Sequence, residues 1–302
     1  MRNAFSDTLV AAAKADPRVL LLTGDHGYAL FDSFRKACPE QYINCGVAEQ
    51  NMVGVAAGLA KAGFRPVVYG LAAFVPIRVL EQIKMDVCYE KLPVVFIGDG
   101  AGLVYSHLGT SHQSTEDIAC TRAIPDLMVL SPADRHEMKA CMELAFCAGA
   151  PVYLRMGKSD RGDVHTAPLQ MQAGDLVKVR AGQSSVVILA TGSMVRTALQ
   201  IADINLDADV WSVPTVKPLN INQLRSISEN AAQLVTIEEH SVIGGLGAAI
   251  AEILSEIHPI RICRIGIADQ FSQSCGSWEH LLSEHKLANH LIINKINQHQ
   301  AA

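Results

Sequence analysis

Residues 42–60 read Tyr42-Ile43-Asn44-Cys45-Gly46-Val47-Ala48-Glu49-Gln50-Asn51-Met52-Val53-Gly54-Val55-Ala56-Ala57-Gly58-Leu59-Ala60, and their order decides the fold. The run from Tyr42 to Cys45 predicts a short strand, Gly46 marks a turn, and the residues after it predict a helix. Between Val47 and Ala60 the only charged residue is Glu49. Met52, Val53, Val55, Ala56, Ala57, Leu59 and Ala60 spread round nearly the whole circumference, so this helix is expected to be buried on every side. A carboxylate at its start loses solvent and has no cation beside it in sequence. Glu49 is therefore a candidate proton partner for a bound heteroaromatic ring. The plainer alternative is a helix cap, since acids favour the first turn.

The strand-then-helix unit recurs outward from there. Val19–Leu22, Val67–Tyr69, Pro93–Ile97, Met128–Leu130 and Val152–Leu154 read as further apolar strands, the last closing the sheet. Val75 to Cys88 reads as an amphipathic helix. Ser131-Pro132-Ala133-Asp134 reads as a helix start, with Ser131 as N-cap and a helix running to about Cys147. Continuous rather than alternating apolar strands indicate a sheet covered on both faces, hence parallel. From about Lys158 to Gly182 the character changes, with Ser159-Asp160-Arg161-Gly162-Asp163, Pro168 and Gly174 and little periodicity. Residues 161–182 are expected to link a first domain, 1–160, to a second, 183–302. The second carries strands at Val186–Ala190, Val210–Val213, Leu234–Ile237 and Arg261–Ile265, and helices at Ser193–Ala202 and Gly244–Ile257. The expected class is α/β, with two doubly wound domains, each built on a mostly parallel sheet.

Composition narrows the function. The 302 residues are 49% hydrophobic with a net charge of -5, which argues against a nucleic-acid surface. No apolar run reaches the length of a membrane span, and the first residues do not form a signal peptide. Eight cysteines are scattered without a C-x-x-C pair, as expected of reduced thiols in a cytoplasmic protein. Eleven histidines show no H-x-x-x-H or H-E-x-x-H spacing for zinc.

The run Ile43 to Met52, continued by Ala57-Gly58-Leu59-Ala60, closely resembles the pyrimidine-binding domain of transketolases, which use thiamine diphosphate. The resemblance covers essentially the whole chain. It implies that Glu49 hydrogen-bonds a nitrogen of the cofactor's aminopyrimidine ring and favours its imino tautomer; the cofactor carries the chemistry and the protein supplies orientation and one carboxyl group. In Leu71-Ala72-Ala73-Phe74-Val75-Pro76-Ile77-Arg78, Phe74 matches the family's ring-stacking aromatic. Leu71 stands where a first aromatic is usual, and Leu71 and Ile77 complete the cofactor-binding face. Gly24-Asp25-His26-Gly27, at the end of the first strand, resembles the segment whose aspartate lies near the cofactor across a subunit interface. Asp25 is thus a cofactor-side candidate, and His26, where transketolases usually carry an apolar residue, is a substrate-side one; the alternative is a simple turn.

Ser106-His107-Leu108-Gly109-Thr110-Ser111-His112-Gln113 resembles the family's Gly-Pro-Thr-His-Gln segment. His112 then takes the catalytic, substrate-facing role, and His107 lies where the family's acidic stretch is replaced, which bears on sugar preference. Arg155 and Lys158, in Arg155-Met156-Gly157-Lys158, are the candidates for a sugar phosphate. Gly98-Asp99-Gly100 resembles the family's magnesium motif but lacks the paired asparagines that should follow, so no metal ligand is assigned to this chain. Gly244-Gly245-Leu246-Gly247 could cradle a phosphate, but tight helix–sheet packing is the better reading.

The chain starts directly with the pyrimidine-type domain, so the resemblance implies one half of a split transketolase. The expected partner is an N-terminal subunit that holds the diphosphate and Mg2+, in an α2β2 heterotetramer acting on sugar phosphates, without nucleic acid or membrane. The expected reaction is transfer of a two-carbon ketol unit. The alternatives are a deoxyxylulose-phosphate-synthase-like or 2-oxo-acid dehydrogenase E1 beta-type subunit, or a non-catalytic partner subunit.

Overall fold

A computed structural model describes every residue except Tyr28, Ser159 and Ala302, and only the backbone of Asn205 and Ala301. Ser159, in the stretch where the sequence changes character, thus lies outside the described residues. The strands are β1 (Val19–Thr23), β2 (Tyr42–Asn44), β3 (Arg65–Leu71), β4 (Val95–Asp99), β5 (Met128–Leu130), β6 (Val152–Met156), β7 (Val177–Arg180), β8 (Val186–Ala190), β9 (Asp209–Ser212), β10 (Thr215–Lys217), β11 (Gln233–Ser241) and β12 (Ile262–Ile267). They form two sheets, ordered β10-β5-β6-β4-β3-β1-β2 and β12-β11-β8-β9-β7. Every pairing is parallel except β10 with β5 and β7 with β9. All five residues of β1, β4, β6 and β8 are buried, as continuous apolar strands between two helix layers must be. The α/β reading with two mostly parallel sheets therefore holds.

Several local expectations are corrected. Strand β6 does not close the first sheet; it lies between β5 and β4, and the edges are β2 and β10. β10 comes from the second half of the chain, and β7 lies inside the expected linker. Both are short antiparallel edge strands whose partners are distant in sequence, so no local pattern announces them. The helix after β5 begins at Arg135, with Asp134 rather than Ser131 as N-cap. The Ser131 N–H bonds the Pro214 carbonyl instead, which keeps Ser131 in the strand extension. The Asp134 carboxylate accepts from the N–H groups of His136 and Glu137, and Glu137 accepts from Ala133. The expected Val75–Cys88 helix is broken into a 3₁₀ turn (Ile77–Val79), one α turn (Leu80–Gln82) and a π segment (Ile83–Cys88).

The Glu49–Lys61 helix is buried on one side only. Met52, Val53, Ala56, Ala57 and Ala60 pack inward, while Gln50, Asn51, Gly54, Val55 and Gly58 are exposed. A Cβ built on Gly54 or Gly58 would meet nothing within 4 Å. The apolar circumference is thus only half used within this chain. Of the eight cysteines, all free, four are buried, two half-buried and two exposed. No helix among the described residues is long and apolar enough to cross a membrane.

A buried ionic cluster joins the two sheets. The Arg155 Nε donates to Asp117 at 2.8 Å, with side chains 2% and 0% exposed. Tyr153 donates its hydroxyl to the same carboxylate at 2.6 Å. Arg155 Nη2 reaches across to the Glu239 carbonyl at 2.7 Å. The Glu239 carboxylate accepts from Leu103 N–H, the Trp278 indole and the Ser193 hydroxyl.

The Gly244–Gly247 turn is filled from within the chain. Glu238 accepts from Leu246 N–H at 2.7 Å and Gly247 N–H at 2.9 Å, so its own carboxylate takes the helix N-terminus. This supports the packing reading over a phosphate cradle. Burial pushes the Glu238 carboxyl up to about 7 against its two N–H donors, and pushes the neighbouring His240 down to about 4. The stability His240 contributes is present above its ordinary value of 6.5 and lost as pH falls through 4. The Glu238 contribution runs the other way: it is present below 4.5 and lost as pH rises through 7. Between pH 6.5 and 4.5 the two oppose each other. His240→Gln is therefore expected to gain stability over wild type on acidification across that window, by on the order of 2–3 kcal/mol. Urea unfolding at pH 7 and 4.5 measures it, and equal pH slopes in the two proteins would refute it.

Candidate active site

The site lies at the carboxyl ends of β1, β3 and β4, where open parallel sheets bind ligands. β3 ends at Leu71, whose carbonyl accepts from the N–H groups of both Phe74 and Val75. This tight turn leaves Phe74 half-buried, with Leu71 and Ile77, also half-buried, on either side in sequence. Arg78 follows one turn later, its N–H on the Phe74 carbonyl at 3.1 Å. The Arg78 guanidinium carbon stands 4.1 Å above the Phe74 ring centroid. Its Nη1 donates to Glu49 Oε2 at 2.9 Å. Glu49, 4% exposed at the first position of its helix, thus has a cation after all. The premise that it lacks one holds only along the sequence.

The histidine loop closes onto the same place. Gly102 and Ser114 pair through two backbone hydrogen bonds, 2.8 and 3.0 Å, which pinch residues 102–114 into a loop with a narrow base. Ser114 Oγ donates to the Ala72 carbonyl at 3.2 Å, tying that base to the turn that carries Phe74. His112 then presents its ring edge-on to Phe74, with centroids 5.4 Å apart, and Tyr105 stands 6.5 Å from His112. Ser111 Oγ is 3.0 Å from His112 Nδ1. The structure therefore brings Glu49, Phe74 and His112 to one edge. His107 is exposed on the 3₁₀ turn Ser106–Leu108 of the same loop.

Asp25 takes a left-handed backbone (φ 57°) at the end of β1, with Asn44 Nδ2 3.4 Å from its carboxylate. His26 Nδ1 bonds the Gly24 carbonyl, and its ring lies 5.7 Å from that of Tyr69. His26 Nε2 is buried without a partner and is 3.6 Å from where a Cβ on Gly70 would stand, so His26 borders the same sheet edge.

One candidate changes role. Arg155 is sealed in the ionic cluster with Asp117 and Glu239, so its guanidinium is not available to a sugar phosphate. Lys158 is half-buried and pairs with Asp160 at 3.1 Å. Asp99 accepts from Tyr69 at 2.6 Å and pairs with Arg2 at 3.3 Å, so it braces the β4 edge.

Sequence reasoning missed Arg78, although its i,i+4 spacing from Phe74 was a usable signal. It also missed a second anchor for the histidine loop: Ser272 Oγ lies 2.7 Å from Gln113 Oε1 and 2.8 Å from His285 Nε2. Nothing local in the sequence connects residues 113, 272 and 285.

Comparison with known proteins follows the same division. Residues 1–162 match the transketolase pyrimidine-binding domain and residues 174–290 the transketolase C-terminal domain. The chain is 33% identical, over 280 residues, to an apulose-4-phosphate transketolase subunit of Phocaeicola vulgatus, covering 89% of this chain and 88% of that one. It is 32% identical over 287 residues to 1-deoxy-D-xylulose-5-phosphate synthase of Mannheimia succiniciproducens, but spans only 46% of it. A solved structure described as a split gene transketolase, inactive beta4 tetramer, superposes with a TM-score of 0.88 at 33% identity, covering 98% of this chain and 96% of that one.

Proposed function

The chain belongs to the transketolase family, and from that premise we propose that it is the C-terminal subunit of a two-subunit transketolase that moves a two-carbon ketol unit between sugar phosphates in the cytoplasm. The observation that carries this is the convergence of Glu49, Phe74 and His112 on one sheet edge. Residues 1–160 form the cofactor-facing unit and 183–302 the second, with 161–182 the connection that also supplies β7. A buried carboxylate beside an aromatic face, both held by the half-exposed Arg78, fits the aminopyrimidine end of thiamine diphosphate once that side chain moves aside. When bound, that cofactor supplies the nucleophilic carbon and the electron sink. Mg2+ and the diphosphate belong to an N-terminal partner subunit, in an α2β2 assembly. The near-full-length match to one subunit of an apulose-4-phosphate transketolase supports this, as does the likeness to a split gene transketolase described as an inactive beta4 tetramer.

In this reading Glu49 holds a proton at its carboxyl oxygen toward the ring nitrogen. Phe74 fixes the ring plane, which stacking favours by on the order of 1 kcal/mol. Leu71 and Ile77 exclude water beside it. His112, oriented by Ser111, moves a proton to and from a sugar oxygen. Asp25 borders the cofactor, and His26, His107 and Lys158 border the sugar phosphate.

The test is ketol transfer measured on the purified chain, on the chain with a diphosphate-binding subunit, and on histidine variants of that complex. The expected result is no turnover alone and turnover in the complex. His112→Ala should lower kcat and kcat/KM together by ~10²-fold or more, and His107→Ala should mainly alter which sugar phosphate is accepted. Robust transfer by the chain alone sinks the split-subunit reading. Decarboxylation of a 2-oxo acid in its place selects the alternative reading, a synthase-like or 2-oxo-acid dehydrogenase subunit.

A further inference from the structure

We infer that Arg78 is a built-in stand-in for the cofactor ring: its guanidinium holds Glu49 and Phe74 in the unloaded subunit and must swing out for the aminopyrimidine to enter. The inference rests on the proposed roles of Glu49 and Phe74. The guanidinium makes both contacts which that reading gives the ring. It is planar, it donates an N–H to Glu49 Oε2 at 2.9 Å, and it lies 4.1 Å over the Phe74 face. These contacts exclude the ring, because no second planar group fits between Phe74 and a guanidinium at that separation. One occupant must leave before the other arrives.

The asymmetry of the pair makes Arg78 the one that moves. Its side chain is 46% exposed, while Glu49 is 4% exposed at the head of a packed helix. A buried carboxylate without a counter-ion is costly, so the empty site needs a cation. A half-exposed pair is weak, so the cation can be displaced. Arg78 therefore preserves the geometry of Glu49 and Phe74 at the cost of competition with the cofactor. The apparent dissociation constant is the intrinsic one divided by the fraction of molecules in which the site is open. For a half-exposed pair with ring stacking, a three- to tenfold rise, as an order-of-magnitude figure, is expected.

The experiment titrates thiamine diphosphate and Mg2+ into the complex of this chain with a diphosphate-binding subunit by calorimetry, comparing wild type, Arg78→Met, Arg78→Lys and Glu49→Gln in this chain. Arg78→Met should bind about three- to tenfold tighter. Arg78→Lys, which keeps the charge and loses the planar stack, should fall between. Glu49→Gln should bind more weakly than wild type. Equal or weaker binding by Arg78→Met, with Glu49→Gln still weakened, overturns the Arg78 role and leaves the ring contacts standing. An unchanged affinity in Glu49→Gln overturns the parent reading instead. A double-mutant cycle of Arg78→Met and Glu49→Gln on urea unfolding reads the lock without ligand. Absence of coupling there, or failure of Arg78→Met to bind the cofactor at all, also overturns the proposal.

Discussion

Glu49→Gln is expected to slow proton exchange at the thiazolium carbon, and turnover with it, by roughly 10²–10⁴-fold in the assembled enzyme, the range of a lost proton-transfer group. The amide keeps the size of the side chain and its place at the head of the helix. It cannot hold an ionisable proton toward the ring nitrogen, and tautomer control at that nitrogen is the whole of the proposed role. Folding should change little, because the lost ion partner, Arg78, is half in solvent and a solvated pair contributes little. Deuterium exchange of the bound cofactor by NMR, beside a urea unfolding curve of the same protein, separates the two effects. An exchange rate near wild type would reduce Glu49 to a helix-capping residue.

Arg155→Met is the largest expected effect on the fold. It would leave Asp117, fully buried, with only the Tyr153 hydroxyl and no cation, and would strip the Glu239 carbonyl of its donor. Breaking a buried pair on one side costs about 3–5 kcal/mol, because an uncompensated charge stays behind. The urea midpoint should fall by that energy divided by the slope, with the slope itself unchanged. Adding Asp117→Asn should restore part of the loss, since the stranded charge is then gone. A loss below about 1 kcal/mol would mean that the cluster is not dry. A raised KM for the sugar phosphate with unchanged stability would instead return Arg155 to the substrate role which the sequence suggested.

Much of the candidate site was legible in the chain because its parts are local. Glu49 stands out as the lone charge of an apolar helix, Phe74 sits at a strand-to-helix turn, and His112 lies in a Gly/Ser/Thr loop. Each of these signals spans a few residues. Arg155 was misread because a basic residue at a strand end looks alike whether it meets a phosphate or a buried aspartate. What distinguishes the two is Asp117 and Glu239, which are 38 and 84 residues away.

The sequence by itself determined the α/β class, most of the strands as apolar runs and the apolar character of the Glu49 helix, and it singled out Glu49, Phe74 and His112 as site candidates. Periodicity, glycine turns and apolar runs are properties of neighbouring residues, and the chain carries them before it folds. Only the tertiary structure decided that β10 crosses back to edge the first sheet and that Asp134 caps its helix in place of Ser131. It alone showed that half of the Glu49 helix faces outward, that Arg155 joins the two sheets, and that Arg78 covers Phe74 while pairing with Glu49. Each of these depends on which distant groups compete for one donor, one acceptor or one patch of buried surface, and that competition is settled only when the sheets are assembled.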